Sequence, residues 1–422
     1  MTFPKGTLNS KYLYYSSSGL FLCSLAMLGL QVIARYLFLE DIQRGDSTLH
    51  FTFQSNTSID VLMILLGVCA FPLGGIIIDK VKLFKGMALL LTTTIFSFLL
   101  FILYFSSRFL LIAPTLGLAI YSLLTLGIIL QLNKIYHPQD LDRTFLLFFL
   151  FATGGPTLAQ QLFPLIYNFL GPILSLGIAF LTNLAALVFL LLAKRHLPTS
   201  QSNLEAAAEH PADLKMLKSK PWASLIILFL FIALTYLSTL LLQGHLASFA
   251  FFTPFNQQIA PPTSFFKTGL EFSDFTTLVM LGVVFYWQKM AKKQKEIMTV
   301  NKLLNGVIFL IVANFLILML QKQNNQIVDI YKIIAILSLI LLSLAQAYLI
   351  PVLITFLSIL SPHRYVGTVT GLGFLIFLVA LQAGTSLVPQ ASNFLPVIVL
   401  FPALIFTLGI IFLFKRFKKR LS

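Results

Sequence analysis

Two carboxylates stand three residues apart in an otherwise apolar stretch, Glu271 and Asp274 in the run L-E-F-S-D-F. Residues three apart on a helix share one face, so a helix would bring these side chains together. Two neighbouring carboxylates in a poorly solvated cavity do not both ionise easily, which suits a group that binds and releases a proton. The pair is therefore a candidate proton-coupling site. The alternative, that both carboxylates are simply hydrated at an interface, stays open.

Single amide, imidazole and guanidinium groups interrupt the other apolar stretches. Amides both donate and accept, so a cavity lined by them would suit a polar or zwitterionic solute. A hydrogen bond between two helices is the alternative for each of these groups, and His245 has either a titrating or a structural role. Arg35 would pair with a carboxylate, hold an anionic group, or extend to the interface. The candidate substrate-binding residues are Gln31, Arg35, Gln131, Gln160, Gln161, Gln243, His245, Gln346, Tyr348 and Gln382.

A third pattern is the run G-G-I-I-I-D-K-V-K-L-F-K-G, which extends from Gly74 to Gly86. The glycines allow close helix approach, and Asp79 can accept hydrogen bonds from the N-terminus of a neighbouring helix in one conformation and lose them in another. We predict that this segment is a conformational latch. The alternative is an ordinary cytoplasmic loop, where lysines with an occasional aspartate are common. The predicted latch residues are Gly74, Gly75, Asp79, Lys80 and Lys85.

The composition shows which elements must position these groups. Hydrophobic residues make up 58% of the 422, charged residues 10%, and the mean hydropathy is +0.92, too apolar for a soluble surface. We predict a multi-pass membrane protein with about 12 spans of roughly 20 residues, all helical because lipid offers the backbone no hydrogen-bond partner. The predicted spans are 17–38, 58–78, 86–106, 109–132, 144–168, 171–193, 222–246, 266–288, 300–321, 330–358, 366–387 and 394–414.

The net charge of +15 is scattered over short loops, which excludes a nucleic-acid-binding domain and sets the topology instead. Basic residues gather on one side of the membrane, whereas the opposite loops hold little beyond Arg44, Arg108 and Lys322. We therefore expect both termini in the cytoplasm, and an inner membrane of a bacterium as the location. The polar segment 194–221 separates two predicted domains of six spans each, 1–193 and 222–422, the plan of transporters that move around a central site.

Other classes of function find no support in the sequence. Cys23 and Cys69 both fall inside predicted spans, so neither a disulfide framework nor a metal site is expected. No long soluble segment exists to hold an active site, so we expect neither an enzyme nor a cofactor. The first apolar run is too long for a signal peptide and is expected to remain in the mature chain. The expected partners are a small-molecule solute, protons and the lipid bilayer, and we expect a monomer.

The segment at Gly74 resembles a known family signature. G-G-x-x-x-D followed by Lys80 and Lys85 is similar to the loop between spans 2 and 3 of the major facilitator superfamily, and the doubled glycine resembles the variant in the proton-coupled oligopeptide transporter family. Further stretches resemble that family in the same order along the chain. They are L-F-F-L-F-A-T-G-G at 147–155, Gln243-Gly244, P-P-T-S-F-F-K at 261–267, Trp287, Lys302 with Gly306, A-Q-A-Y-L-I-P at 345–351 and S-P-H-R-Y-V-G at 361–367.

The resemblance implies an all-α integral membrane fold of about twelve helices in two six-helix halves. It also implies proton-coupled transport of a peptide-like or amino-acid-like solute by alternating access. The sequence departs from the family in the first span, which carries no charge in L-F-L-C-S-L-A-M-L-G, and at Leu130 and Gln346, where a lysine and a glutamate are usual. Two alternatives stay open: a major facilitator carrier or exporter of another metabolite or drug, and a non-transporting membrane sensor or assembly protein.

Overall fold

The structure is a computed structural model that describes residues 7–43, 71–77, 79, 121, 123–133, 135–136, 138–196, 226, 228–230, 232–233, 235, 272–292, 299–321, 328–361 and 365–387. Every secondary-structure element within these ranges is a helix. The helices with defined bounds are α1 (Thr7–Gln43), α2 (Pro138–Arg195), α3 (Phe272–Lys292), α4 (Thr299–Gln321), α5 (Val328–Leu360) and α6 (Val366–Leu387). The described residues of 71–79, 121–135 and 226–235 are also helical.

The helices match the apolar stretches of the sequence, which explains why they form. Three of them contain a stretch long and apolar enough to cross a membrane by length and composition: Lys11–Leu30, Asp140–Arg195 and Ile333–Leu360. Shorter apolar helical stretches occur at Leu123–Asn133, Asn301–Leu316 and Val366–Ile376. The predicted spans 86–106 and 394–414 lie outside the described residues, so the count of twelve stays a prediction.

Helix α2 is interrupted at Gly171, at the junction of the predicted spans 144–168 and 171–193. The backbone of Gly171 has φ 77° and ψ 176°, a conformation that side chains disfavour and that glycine adopts readily. Pro172 follows, and a proline disfavours the helical conformation in the residue before it while fitting the first turn of a new helix. The Gly-Pro pair thus divides α2 into two arms, each the length of a membrane span.

The chain forms two compact units. The first contains residues 1–136, 148–199 and 364–372, and the second contains 137–147, 200–363 and 373–422. The boundary between the units near residue 199 lies within the predicted linker 194–221, and the assignment of six spans to each side stays a prediction. Residues 364–372 at the start of α6 belong to the first unit, and residues 137–147 at the start of α2 belong to the second. Both segments precede or begin a predicted span.

In the first unit, α1 packs against both arms of α2 through glycines. A Cβ atom added at Gly19 would meet the side chain of Leu190, and one added at Gly29 would meet the ring of Phe163. On the facing helix, a Cβ at Gly155 would meet the Ser24 hydroxyl and the Phe21 carbonyl. Small residues let membrane helices approach closely, so these contacts fix the position of α1 between the two arms.

In the second unit, α5 packs against both α3 and α4. Gly306 of α4 faces Tyr348 of α5, whose ring lies 5.1 Å from Trp287 of α3 and 5.6 Å from Phe309 of α4, centroid to centroid and edge to face. These edge-to-face arrangements are favourable for aromatic pairs. Tyr348 therefore sits at the meeting point of three helices and holds them in register.

Candidate functional site

The carboxylate of Asp79 contacts the first turn of α6, within the first unit. Its Oδ1 accepts a hydrogen bond from the Gly367 backbone N–H at 2.8 Å. Its Oδ2 accepts two, from the Thr368 backbone N–H at 2.8 Å and from the Thr368 hydroxyl at 2.6 Å. Each bond joins residues almost 290 positions apart in sequence, from the two predicted halves of the chain.

The sequence at the start of α6 explains why a remote carboxylate fits there. Tyr365 occupies the N-cap position, since its carbonyl accepts the Val369 N–H at 2.8 Å. A tyrosine side chain cannot cap the next N–H groups as serine, threonine, aspartate or asparagine would. The first N–H groups of any helix lack partners within the helix and carry the positive end of its dipole. Asp79 supplies both the missing acceptors and the complementary charge.

Glycines on both sides bring the two backbones together at this contact. A Cβ added at Gly75 would meet the backbone of Gly367 and Thr368, and one added at Gly371 would meet the Phe71 carbonyl. A Cβ at Gly367 would meet the Asp79 carboxylate itself. The close crossing thus requires hydrogen rather than a side chain at these positions. Of the predicted latch residues, Gly74 and Gly75 are buried and Asp79 is half-buried, whereas Lys80 and Lys85 lie outside the described residues.

A second polar contact, in the second unit, was not predicted from the sequence. Lys302 Nζ of α4 lies 2.7 Å from Asp142 Oδ2 in the first turns of α2. The side chains are 3% and 0% exposed, so this ion pair is fully buried. The Thr299 hydroxyl also donates to Asp142 Oδ2 at 3.3 Å. The sequence offered only weak signals, because a charge at the end of an apolar span is common and the partners are 160 residues apart.

Each member of this ion pair also has a partner close to it in sequence. The Lys302 ammonium lies 4.4 Å from the centre of the Trp287 ring, within the range of a cation–π interaction. Asp142 Oδ1 accepts the Arg143 backbone N–H at 2.7 Å. The Arg143 side chain pairs with Asp140 on the same helical turn. The ion pair therefore belongs to a wider cluster of charges at the start of α2.

The predicted substrate-binding and proton-coupling residues are only partly described. Gln131, Gln160, Gln161 and Gln346 are half-buried, and Tyr348 is buried at the junction of α3, α4 and α5. Gln31, Arg35, Asp274 and Gln382 lie on helices whose backbone alone is described at those positions. Gln243, His245 and Glu271 lie outside the described residues. The assignment of all ten to a binding site, and of Glu271 and Asp274 to coupling, stays a prediction.

The described part of the chain contains no group of three or more histidine, cysteine, aspartate or glutamate residues that would hold a metal ion. The polar groups that the described residues place together include the carboxylate contacts at Asp79 and at Asp142 and a buried pair of hydroxyls, Thr276 and Ser343, 3.4 Å apart. Both carboxylates hold helix starts, and neither presents a free nucleophile to a reacting group.

Comparisons with known proteins identify the fold. The family description of the Major Facilitator Superfamily matches residues 16–389, most of the chain. A crystal structure described as an auto-inhibited peptide transporter of the POT family is similar, with a TM-score of 0.53, 14% sequence identity and 96% of each chain covered. That likeness shows the fold alone. No curated protein matches significantly in sequence.

The match to the family description covers most of both units, all of α2 to α6, and α1 from residue 16 onward. It accounts for an all-helical chain whose apolar stretches reach membrane-spanning length. It also accounts for a loop signature that places a carboxylate at the start of another helix. A chain of this family crosses the lipid bilayer several times and moves small molecules through it. The chain therefore belongs to the Major Facilitator Superfamily.

Proposed function

We propose that the chain is a secondary active transporter that moves a small polar or zwitterionic solute, peptide-like or amino-acid-like, by alternating access coupled to protons. The observation that supports this most directly is the contact of Asp79 with the start of α6. Alternating access requires contacts between the two halves of the chain that close one side of the membrane in one state and release in the other. The three hydrogen bonds from Asp79 to the start of α6 join segments of the two predicted halves and support such a role.

The strength of the Asp79 contact suits a reversible latch. Loss of a helix N-cap typically costs about 1 kcal/mol, and a charge at a helix N-terminus contributes about 0.3–1 kcal/mol. The contact is thus worth on the order of 1–2 kcal/mol, which biases a two-state equilibrium roughly tenfold. This is enough to favour one state and small enough for a bound solute or proton to reverse it.

The class of solute follows from the half-buried amides. Gln131, Gln160, Gln161 and Gln346 are half-buried rather than fully packed, and amides satisfy both the donors and the acceptors of a zwitterion. The similarity to a peptide transporter structure favours a solute with a peptide bond or an amino acid backbone. Leu130 and Gln346, which replace charged residues usual in that family, favour a solute held by fewer ion pairs, such as a single amino acid or another polar metabolite.

The test is uptake by the purified protein in proteoliposomes, with a labelled panel of dipeptides, amino acids and nucleosides. We expect saturable uptake of one class, accelerated when the outside is acidic. Liposomes prepared without protein serve as the control for leakage and passive binding. If no member of the panel is taken up or exchanged under any gradient, while the protein remains monodisperse, the transport proposal is wrong for this class of solutes.

A further inference from the structure

The start of α1 lies beside the end of α2, within the first unit. The ring of Tyr15 stacks on the imidazole of His196, with centroids 5.4 Å apart and an angle of 11° between the ring planes. Tyr15 also lies 6.2 Å from Phe189, two turns earlier on α2, centroid to centroid. Gly19 continues this packing against Leu190. The two helices are therefore antiparallel here, and the start of one forms a common surface with the end of the other.

Exposed basic side chains lie around this stacked pair of rings. Lys11 is exposed and lies one helical turn, about 6 Å, before Tyr15. Arg195 is exposed and directly precedes His196, and Lys194 is a third exposed basic residue. Neither Lys11 nor Arg195 forms an ion pair within the described part of the chain. The last turn of a helix favours cations, which accounts for Lys194 and Arg195 but not for Lys11.

The acidic residues of the same two helices do not compensate this charge. The first turn of α1 contains no acid, and its only acidic residues are Glu40 and Asp41, at the opposite end of the helix. Those of α2 are Asp140 and Asp142, in its first turns, and each already pairs with a basic residue. The two helices therefore supply no carboxylate for the junction of α1 and α2, and an external anion would supply the missing negative charge.

An apolar stripe on the second arm of α2 leads to this junction. Leu184, Val188 and Leu191 are exposed and are spaced four and three residues apart, so they share one face of the helix. Arg195 follows Leu191 by four residues and continues that face. Because α2 is apolar and long enough to cross a membrane, the stripe faces acyl chains. A lipid that lies along the stripe has its headgroup beside Arg195.

We propose that the start of α1 and the end of α2 form a binding site for an anionic phospholipid, with Lys11 and Arg195 on its phosphate and the apolar stripe against an acyl chain. Guanidinium and ammonium groups are strong donors to phosphate oxygens. Basic pockets between membrane helices bind anionic headgroups for this reason. A zwitterionic lipid fits less well, because its own cation finds no carboxylate on these two helices. Such a site goes beyond the proposed transport function and does not depend on it.

The test measures which lipids remain bound to the full-length protein in native mass spectrometry. The purified protein in detergent is titrated with phosphatidylglycerol and, separately, with phosphatidylcholine of identical acyl chains. We expect tighter binding of phosphatidylglycerol by the wild type. Lys11→Gln and Arg195→Gln should each weaken its binding about fivefold, and the double variant should weaken it about twenty-five-fold, because each cation near a lipid headgroup contributes independently.

Lys289→Gln is the matched control, because Lys289 is also an exposed basic residue near the end of a predicted span, on α3. It should leave the affinity for phosphatidylglycerol as in the wild type. Glutamine is a good helix former, and a monodisperse elution profile identifies variants that fold. The proposal is overturned if the double variant binds phosphatidylglycerol as the wild type does. It is also overturned if Lys289→Gln weakens binding equally, since any basic residue would then act alike.

Soluble anions distinguish a lipid site from a site for free phosphate. Inorganic phosphate and glycerol phosphate carry the charged group without an acyl chain, so neither contacts the apolar stripe. We expect phosphatidylglycerol to stay bound when either anion is added in excess. Displacement by these anions, or equal affinity for phosphatidylcholine, would contradict a site for an anionic lipid. Failure of the protein to transport any solute of the panel would leave this result unchanged, so the two proposals are tested separately.

Discussion

At the residue scale, both carboxylate oxygens of Asp79 accept hydrogen bonds from the start of α6. We predict that Asp79→Asn lowers the transport rate by about tenfold without unfolding the protein, since the amide keeps one acceptor but loses the negative charge and turns N–H groups towards the helix start. The measurement is initial uptake into proteoliposomes at equal protein density. Equal rates for the variant and the wild type would contradict the latch.

Thr368→Val provides a graded comparison at the same contact. It removes the hydroxyl that donates to Asp79 at 2.6 Å and leaves both backbone donors in place. We expect a smaller reduction, about twofold to fivefold, because a single hydrogen bond contributes about 0.5–1.5 kcal/mol. A loss larger than that of Asp79→Asn would indicate that Thr368 acts through something other than this carboxylate.

The sequence predicted the contact of Asp79 but not that of Asp142, because only Asp79 lies in a recognisable short sequence pattern. The spacing of Gly74, Gly75 and Asp79 is visible within a few residues, and its resemblance to a family loop adds to it. Asp142 and Lys302 are recognisable as an ion pair only in the folded structure. No short sequence pattern indicates a contact between positions 160 residues apart. Each of them alone looks like the charges that end many membrane helices.

At the scale of elements, the packing of α1 depends on positions that leave no room for a side chain. We predict that Gly155→Ala destabilises the protein by about 1–3 kcal/mol, because the new Cβ would meet the Ser24 hydroxyl and the backbone carbonyl of Phe21. The backbone atom cannot move aside as the end of a flexible chain would. The measurement is thermal unfolding of the purified protein in detergent.

Gly177→Ala is the matched control for that prediction, since Gly177 lies in the second arm of the same helix and a Cβ there has no heavy atom within 4 Å. Alanine is the better helix former by about 1 kcal/mol, so this variant should unfold at the wild-type temperature or above it. If both variants melt alike, the packing of α1 against the first arm of α2 is not the cause.

The sequence predicted the positions of the helices more accurately than the residues at which they begin and end. The apolar stretch 17–38 predicted the first span, yet α1 extends from Thr7 to Gln43. Hydropathy marks the part of a helix that lies in lipid, whereas backbone hydrogen bonding continues into the polar residues on either side. The division of α2 at Gly171 was easier to place, because a Gly-Pro pair between two apolar runs is a strong local signal.

At the scale of the whole molecule, the distribution of basic residues predicts the orientation in the membrane. A cysteine placed in the loop 251–264 should react with an impermeant thiol reagent applied from outside. A cysteine in the loop 289–296 should react only after the membrane is permeabilised. The reverse pattern of labelling would show that the termini lie outside, and that the Asp79 contact lies on the opposite side of the membrane from the one predicted.

Proton coupling is also a property of the whole molecule, because it links a binding event to a change of state. We predict that the Glu271→Gln, Asp274→Asn double variant abolishes accumulation driven by a pH gradient and keeps some downhill exchange, since one of two close carboxylates must bind a proton when a cavity closes. The measurement compares uphill uptake with exchange at equal pH. Accumulation by the double variant would place coupling elsewhere, with His245 the next candidate.

The division of the chain into two parts is only partly predictable from the sequence. The polar segment 194–221 predicts two groups of six spans, which stays a prediction, and the two compact units divide near residue 199. The segments 137–147 and 364–372 are assigned to the other unit by their contacts in space. That exchange depends on which helix starts lie beside which loops, and no composition or periodicity encodes it.

Because a residue from another helix caps α6, the capping contact can be followed by hydrogen exchange. The amide hydrogens of Gly367 and Thr368 are protected by the Asp79 carboxylate rather than by their own helix. In the proposed latch, these two amides lose their acceptor when the contact opens, while the amides deeper in α6 remain hydrogen-bonded within the helix. Deuterium uptake at these two amides, followed in an unlabelled protein, would therefore count openings of the transporter, and a transported solute should change that count.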